Sequence, residues 1–302
     1  MQQKQKIIFV INPISGDLDK SLLEEEIRCF ADSENFWFHI YRTTGTNDSI
    51  KISELIKTHT PDIVVAAGGD GTCNMVGQLL LNSSIRMGVL PSGSANGLAM
   101  ELCIPAPIKK ALQTIIHGSP KPIDVIRINK NYISLHLSDI GVNAKVVQRF
   151  QKDTVRGFWG YGKHLIAELM DAKPIKFSLI LDGREISKSA YMIVLANASQ
   201  YGTGANINPK GKPGDGVFEV VLIRAHSIGH LLRMIIPFFT KSIDQLDYIE
   251  VYSCKKAILK TNKNQVVQID GEVIGSIKEV EAEIIEKAVQ VMVPQYALTD
   301  NT

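Results

Sequence analysis

Five consecutive residues, Gly68-Gly69-Asp70-Gly71-Thr72, carry the clearest chemical signal in the chain, and they follow directly on the uncharged run Ile63-Val64-Val65-Ala66-Ala67. An apolar run ending in glycines reads as a buried strand that delivers a tight turn. Glycines there let the backbone take positive φ and bring amide N–H groups close to an anion with no Cβ in the way. Asp70 adds something that a plain phosphate cradle lacks. A carboxylate beside polyphosphate repels it unless it holds a magnesium ion, receives a proton or fixes a water, so the acid points to chemistry as well as binding. The competing reading is an ordinary strand-to-helix connection in which Asp70 or Thr72 caps the following helix. Cys73 also has two readings: a thiol of depressed pKa at a helix N-terminus, or a small apolar residue in the core.

The elements that must position this turn alternate along the first part of the chain. Ile7 to Ile11, Phe36 to Tyr41, Ile63 to Ala67 and Met87 to Leu90 read as short strands, separated by helical candidates at Leu18 to Ala31, Asp48 to Thr58 and Thr72 to Leu81. Such a βα repeat builds a parallel sheet, and ligands then sit beyond the carboxyl ends of its strands. The loops that fall there are small, hydroxylated or glycine-containing: Asn12-Pro13-Ile14-Ser15-Gly16, Thr43-Thr44-Gly45, Gly68 to Thr72, and Pro91-Ser92-Gly93-Ser94-Ala95-Asn96. Their convergence says more than any one of them. The P-loop pattern GxxxxGK[ST] and the dinucleotide fingerprint GxGxxG are both absent.

Beyond about Asp124 the texture changes to short strands with turns and few helices, the pattern of an antiparallel sandwich or barrel. The strand candidates are Tyr132 to Leu137, Phe177 to Asp182, Ala190 to Ala196, Val217 to Ile223, Tyr248 to Tyr252, Ala257 to Lys260 and Val266 to Ile269. One helix interrupts them, around Ser227 to Thr240, with Leu231, Leu232, Ile235 and Ile236 at helical spacing and a kink expected at Pro237. Phe238 and Phe239 beside Arg233 and Lys241 suit either packing on the sheet or insertion into a lipid interface.

Composition bounds the possibilities. At 302 residues and 45% hydrophobic, the chain can bury two cores. Thirty-three basic residues against 31 acidic leave a net charge of +2, which excludes the global field that dominates nucleic-acid binding and still allows a local basic patch facing anionic lipid. Cys29, Cys73, Cys103 and Cys254 lack CxxC spacing, and no secretory pattern opens the chain, so a reducing cytoplasm is expected. No apolar run approaches the roughly 18 residues needed to cross a bilayer, so any membrane contact is expected to be peripheral, at the inner face.

In combination, NPISG at 12 to 16, GGDGT at 68 to 72, LPSGSAN at 90 to 96, Pro122-Ile123-Asp124, GDGVFEVV at 214 to 221 and DGE at 270 to 272 resemble the diacylglycerol kinase catalytic domain family, which includes bacterial soluble lipid kinases and sphingosine kinases. The resemblance covers almost the whole chain. It implies an α/β N-terminal domain with a parallel sheet, similar to NAD kinases and phosphofructokinases, over residues 1–124, and a C-terminal antiparallel β-sandwich over 125–288, with residues 289–302 returning to the first domain and the active site in the cleft. By that likeness ATP phosphates are held by Asn12, Pro13, Ser15, Gly16, Gly68, Gly69, Asp70, Gly71, Thr72 and Ser94, with Thr43 and Asn96 near the nucleotide. Asp70 and Asp124 resemble the acids that organise magnesium and its waters, which phosphoryl transfer needs for charge neutralisation and in-line alignment. Glu272 resembles the family's general base, and Asp215 with the Lys212 and Val217 carbonyls resembles a second, structural magnesium site. Alternatives stay open: Asp270-Gly271 as a plain hairpin turn, GDG at 214 to 216 as a metal-free turn, and Asp124 as a cap at the junction.

Two departures matter. Where many relatives carry GGDGTxNE this chain has Asn74-Met75, and where many carry GTxND it has Ser94-Ala95-Asn96-Gly97, so two carboxylates are missing. The GSxN variant looks more like the sphingosine kinase branch. The expectation is an ATP- and magnesium-dependent kinase of a membrane lipid hydroxyl, diacylglycerol-like or a sphingoid base, in phospholipid biosynthesis, with a homodimer among the expected assemblies. Two alternatives accompany it: a kinase of a soluble acceptor such as NAD, and a non-catalytic nucleotide- or lipid-binding regulator.

Overall fold

The structure is a computed structural model that describes residues 4–16, 20–152, 173–201, 204–225 and 227–298. The chain forms two compact units, one from residues 1–123 and 287–302, the other from 124–286.

In the first unit, strands β1 (Lys6–Ile11), β2 (Trp37–Arg42), β3 (Ile63–Gly68) and β4 (Arg86–Pro91) pair in parallel in the order β2-β1-β3-β4. The last residues of β14 (Glu272–Val293) add at the far edge, Val291 pairing with Met87. Helices α1 (Lys20–Glu34), α2 (Asp48–His59), α3 (Asp70–Leu79), α4 (Gly97–Glu101) and α5 (Ile108–His117) complete the unit, and the predicted start of α1 at Leu18 lies outside the described residues. β1 and β3 are buried on both faces, which is why they read in the sequence as unbroken apolar runs. Ile7, Phe9 and Ile11 pack with Leu23 and Ile27 of α1 and Leu112 and Ile115 of α5. Phe9 stands edge-on to Phe38 at 6.4 Å between ring centroids, and Phe36 meets both.

The second unit is the antiparallel sandwich. Strands β7 (Leu137–Gly141), β10 (Met192–Ala196), β11 (Phe218–Ile223), β12 (Ile249–Cys254), β13 (Lys256–Ile269) and the first part of β14 pair in the order β12-β11-β10-β7-β13-β14. β8 (Ile175–Leu181) extends from β13 and carries β9 (Arg184–Ala190), while β6 (Tyr132–Ser134) pairs with β5 (Ser119–Ile128). Phe177, Leu179, Ile193, Leu195, Phe218 and Val220 form the core.

Three expectations need correction. Tyr132 to Leu137 is not one strand: β6 ends at Ser134, and β7 begins at Leu137. The candidates at 257–260 and 266–269 are one strand, whose pairing with β14 shifts register between Lys260 and Gln265 where the polar stretch TNKNQ interrupts the apolar alternation. β14 and β9 went unforeseen. The interrupting helix, α7 (Ile228–Thr240), is not alone in this half, because α6 (Val142–Lys152) precedes it. Pro237 lies inside α7; Met234 is buried and Phe238 half-buried against the unit, whereas Ile236 and Phe239 are 72% and 66% exposed.

Truncating Phe9, which is fully buried, opens a cavity that the parallel sheet cannot close. Phe9→Ala is expected to cost about 3–5 kcal/mol in urea unfolding; a loss well under 1 kcal/mol would contradict this account of the core.

Candidate active site

The order β2-β1-β3-β4 reverses direction between β1 and β3, so the crevice at their carboxyl ends is the natural ligand position of the first unit. The loops leaving those two strands are NPISG and GGDGT. Asn12 joins them: its amide donates to the Ala67 carbonyl at 3.0 Å, and its Nδ2 donates to Thr72 Oγ1 at 3.4 Å. Thr72 is buried, and a Cβ on Gly68 would lie 2.2 Å from its Oγ1, so Gly68 makes room for the hydroxyl.

The loop after β4 closes over the same point. Ser92 N–H donates to Gly68 O at 3.0 Å, and a Cβ on Gly93 would stand 2.4 Å from the Cα of Gly69. Two glycine backbones therefore cross where a side chain on Gly93 has no room. Gly16, at φ +56°, meets the Ser92 carbonyl in the same way, 2.4 Å from where its Cβ would be. Both oxygens of Asp70 are engaged, accepting from Gly97 N–H at 2.9 Å and Leu98 N–H at 3.1 Å. Asn96 folds back on its own loop, bonding the Gly93 amide and carbonyl at 3.0 Å each. Ser94 and Pro13 are exposed, Ser15 and Gly16 half-buried, and the α3 N-terminus at Gly69 to Thr72 opens onto this crest. The loop after β2 is tied in through Thr43 N–H, which donates to Ile11 O at 2.9 Å. Burial opposes the charge of Asp48, yet hydrogen bonds from Tyr41, Thr44 and Gly45 outweigh it and hold the carboxyl below the usual carboxylate range, which pins this loop.

One residue of this crest was missed in the sequence. Lys20, in the first turn of α1, donates to the Ser15 carbonyl at 2.8 Å and approaches the Ser92 carbonyl at 3.5 Å, and burial lowers its pKa. The signal available was a lysine four residues beyond Gly16. Cys73 is buried, in keeping with the reading as a small apolar residue.

In the second unit, Asp124 is fully buried and its Oδ2 accepts the Gly216 amide at 2.6 Å. The GDG segment is a tight turn, with φ of +130° at Gly214 and +82° at Gly216. Asp215 accepts the Val217 amide at 3.2 Å and donates its own amide to Lys212 O at 3.4 Å. Burial raises the Asp215 pKa, and the negative charge of Asp124 adds to the effect, so these two acids lie within each other's field. Among the described residues no three His, Cys, Asp or Glu side chains gather as a metal group.

Asp270 and Gly271, at φ +46° and +87°, form the two-residue turn between β13 and β14, with Ile269 paired to Glu272. The turn is more than a surface hairpin. The buried Asp270 carboxylate accepts Ser134 Oγ at 2.8 Å and the amides of Leu135, His136 and Leu137 at 2.8 to 3.1 Å. Glu272, next in sequence, is exposed. Behind the turn lies Asp139, which sequence reasoning passed over: burial pushes its carboxyl up to about 7, against hydrogen bonds from Asn143, Gln268 and Tyr201.

Fold and site together define a two-unit protein whose first unit offers glycine-loop amides at a parallel-sheet switch point. Residues 6–128 match the diacylglycerol kinase catalytic domain family, and residues 138–293 match the YegS C-terminal NAD kinase beta sandwich-like domain. The chain belongs to the diacylglycerol kinase catalytic domain family and is a kinase. It is 22% identical over 281 residues to a diacylglycerol kinase of Bacillus subtilis, covering 91% of each chain. It is 29% identical over 205 residues to one from Mycobacterium tuberculosis H37Rv, covering 64% of this chain and 65% of that one. In fold it is similar to a diacylglycerol kinase crystal structure from Bacillus anthracis (TM-score 0.75, 18% identity, 98% and 100% of the two chains). An NAD kinase from Archaeoglobus fulgidus in complex with ATP is also similar in fold (TM-score 0.58, 13% identity, 98% and 97%). Among the described residues, no helix is long and apolar enough to cross a membrane.

The raised pKa of Asp139 has a measurable sign. Its carboxyl titrates near 7 in the folded chain against 3.8 for an ordinary aspartate, so the folded chain binds more protons and its stability falls as pH rises between those values. Asp139→Asn is expected to remove that slope, gaining stability relative to the parent as pH climbs from about 4 to about 7 in thermal unfolding; parallel curves would contradict the assignment.

Proposed function

We propose that the protein is an ATP- and magnesium-dependent lipid kinase that transfers the γ-phosphate to a hydroxyl of a membrane lipid. The observation that carries this reading is the interlock of Gly16, Gly68, Gly69 and Gly93, which leaves main-chain amides and the α3 N-terminus at the sheet's switch point, the environment a polyphosphate needs. Asn12, Pro13, Ser15, Thr43, Ser94 and Asn96 border that position, and Asp70 keeps the third and fourth loops together. Lys20 adds positive charge between Ser15 and Ser92.

The donor set of the Asp215 carboxylate with the Lys212 and Val217 carbonyls fits a structural magnesium, because all are hard oxygen ligands, and a divalent cation there relieves the repulsion between Asp215 and Asp124. A magnesium ion bound together with ATP would supply charge neutralisation and alignment of the transferred phosphate. Glu272, a carboxylate open to solvent, takes the proton from the attacking lipid hydroxyl. The exposed Ile236 and Phe239 of α7, with Arg233 and Lys241 also exposed beside them, support peripheral contact with an anionic lipid surface. The absent acids at Met75 and Gly97 leave the choice between glycerolipid and sphingoid acceptors to experiment.

Incubation with γ-labelled ATP, magnesium and a panel of diacylglycerol, monoacylglycerol, sphingosine, ceramide and phosphatidylglycerol is expected to give a labelled organic-phase product. A labelled water-soluble product with NAD would select the soluble-acceptor reading, and ATP binding without turnover on any acceptor would select a regulator. Glu272→Gln is expected to lower kcat by about 100-fold while changing ATP affinity less than about twofold; equal loss of both would mean that Glu272 is structural. Gly93→Ala, which forces a methyl against the Gly69 backbone, is expected to weaken ATP binding by about tenfold or more in calorimetry. Unchanged affinity would remove the interlock from the binding account.

A further inference from the structure

The hairpin turn that carries Glu272 is held by a second set of polar groups, distinct from those on Asp270. Asp139 lies on β7 opposite Gln268 of β13 and is fully buried. Its Oδ2 accepts from Gln268 Nε2 and from Asn143 Nδ2, each at 2.5 Å, with the Tyr201 hydroxyl at 3.5 Å. Gln268 is buried as well, and its other end is also used: Oε1 accepts the Gly271 amide at 2.7 Å. The amide of Gln268 therefore has only one workable orientation. Rotated by half a turn, its NH2 group would face the Gly271 N–H, donor against donor, and its oxygen would face a carboxylate.

Asp139 decides that orientation because its Oδ2 takes the Gln268 NH2 group, which leaves Gln268 Oε1 to face the Gly271 N–H. Its side-chain partners among the described residues are the amides of Asn143 and Gln268 and the Tyr201 hydroxyl, so among those residues no ion pair offsets the cost of burying it. A well-packed apolar set in place of Asp139 together with its amide partners would serve stability alone about as well. Burial pushes the Asp139 carboxyl up to about 7, the direction that such a cost dictates. A costly buried acid one glutamine away from the turn bearing the proposed base points to a role in holding that turn.

We infer that Asp139 is a positioning residue for phosphoryl transfer: through Gln268 and the Gly271 amide it fixes the turn from which Glu272 projects. The inference rests on the reading of Glu272 as the general base. The relay contains no group that touches substrate, and it acts by restricting the φ and ψ of Gly271, which as a glycine has no side chain to limit them. Asn at 139 keeps one acceptor oxygen and, turned so that this oxygen meets Gln268, preserves the relay. Ala at 139 leaves the Gln268 amide without its fixed acceptor, and Met at 268 removes both hydrogen bonds at similar volume.

The test combines hydrogen exchange and kinetics on the full chain. By mass spectrometry of the peptide covering residues 267–276, the Gly271 amide is expected to exchange slowly in the parent and in Asp139→Asn, and about tenfold or more faster in Asp139→Ala and Gln268→Met. With a lipid acceptor, kcat is expected to fall about tenfold or more in Asp139→Ala and Gln268→Met, with KM for ATP within about twofold of the parent, while Asp139→Asn stays close to the parent. Gln268→Met keeps the test available if Asp139→Ala does not fold. Unchanged exchange in folded Asp139→Ala and Gln268→Met overturns the relay, and faster exchange with undiminished kcat overturns its role in positioning. Glu272→Gln run in parallel separates the two readings: full activity in that variant refutes the base, whereas the exchange arm reports on the relay whether or not the base is right.

Discussion

The site depends on one close approach, that of the Gly93 backbone to the Gly69 backbone. A single added methyl at Gly93 would come within 2.4 Å of the Gly69 Cα, so the loops after β3 and β4 lie as near as two main chains can. This contact puts the amides of both loops at one place on the sheet's crest. Asp70 then locks it from the other side, its carboxylate spanning to the amides of Gly97 and Leu98. The acid in GGDGT thus acts first as a brace between loops. Gly97 contributes its backbone N–H to this brace, so the carboxylate missing at that position does not break it.

The second unit solves a similar problem with side chains. A type I′ turn of two residues is a small, locally sufficient structure, yet here its first residue is buried and takes four donors from the segment at Ser134 to Leu137, and its second donates into the Gln268–Asp139 pair. Buried polar networks of this kind raise the cost of any rearrangement. They are far heavier than a surface hairpin requires, which is the reason to connect them with function.

What the sequence revealed follows from how each element is buried. β1 and β3 are covered on both faces and so appear as apolar runs that need no partner to be recognised. β14 is a different case: over 22 residues it intersperses Lys278, Glu279, Glu281, Glu283 and Glu286 with buried and half-buried positions, and only its last stretch, Ala288 to Val293, turns strongly apolar. α6 was hidden by Val142, Val146 and Val147, β-branched residues that favour a strand until tertiary packing decides otherwise. The glycine loops and the DGE turn were visible because their residue types are themselves the chemistry. Lys20 and Asp139 were not, since a lysine early in a helix and an aspartate within an apolar segment acquire meaning only from the distant atoms they meet, Ser92 O in one case and Gln268 Nε2 in the other.

The central claim is that these crossed glycine loops form the phosphate seat. A crystal structure of the protein with magnesium and a non-hydrolysable ATP analogue tests it most directly. The account predicts β- and γ-phosphate oxygens within hydrogen-bond distance of main-chain amides in the Gly69–Thr72 and Ser92–Asn96 loops. An analogue bound with its phosphates elsewhere, leaving those amides to solvent, would contradict it.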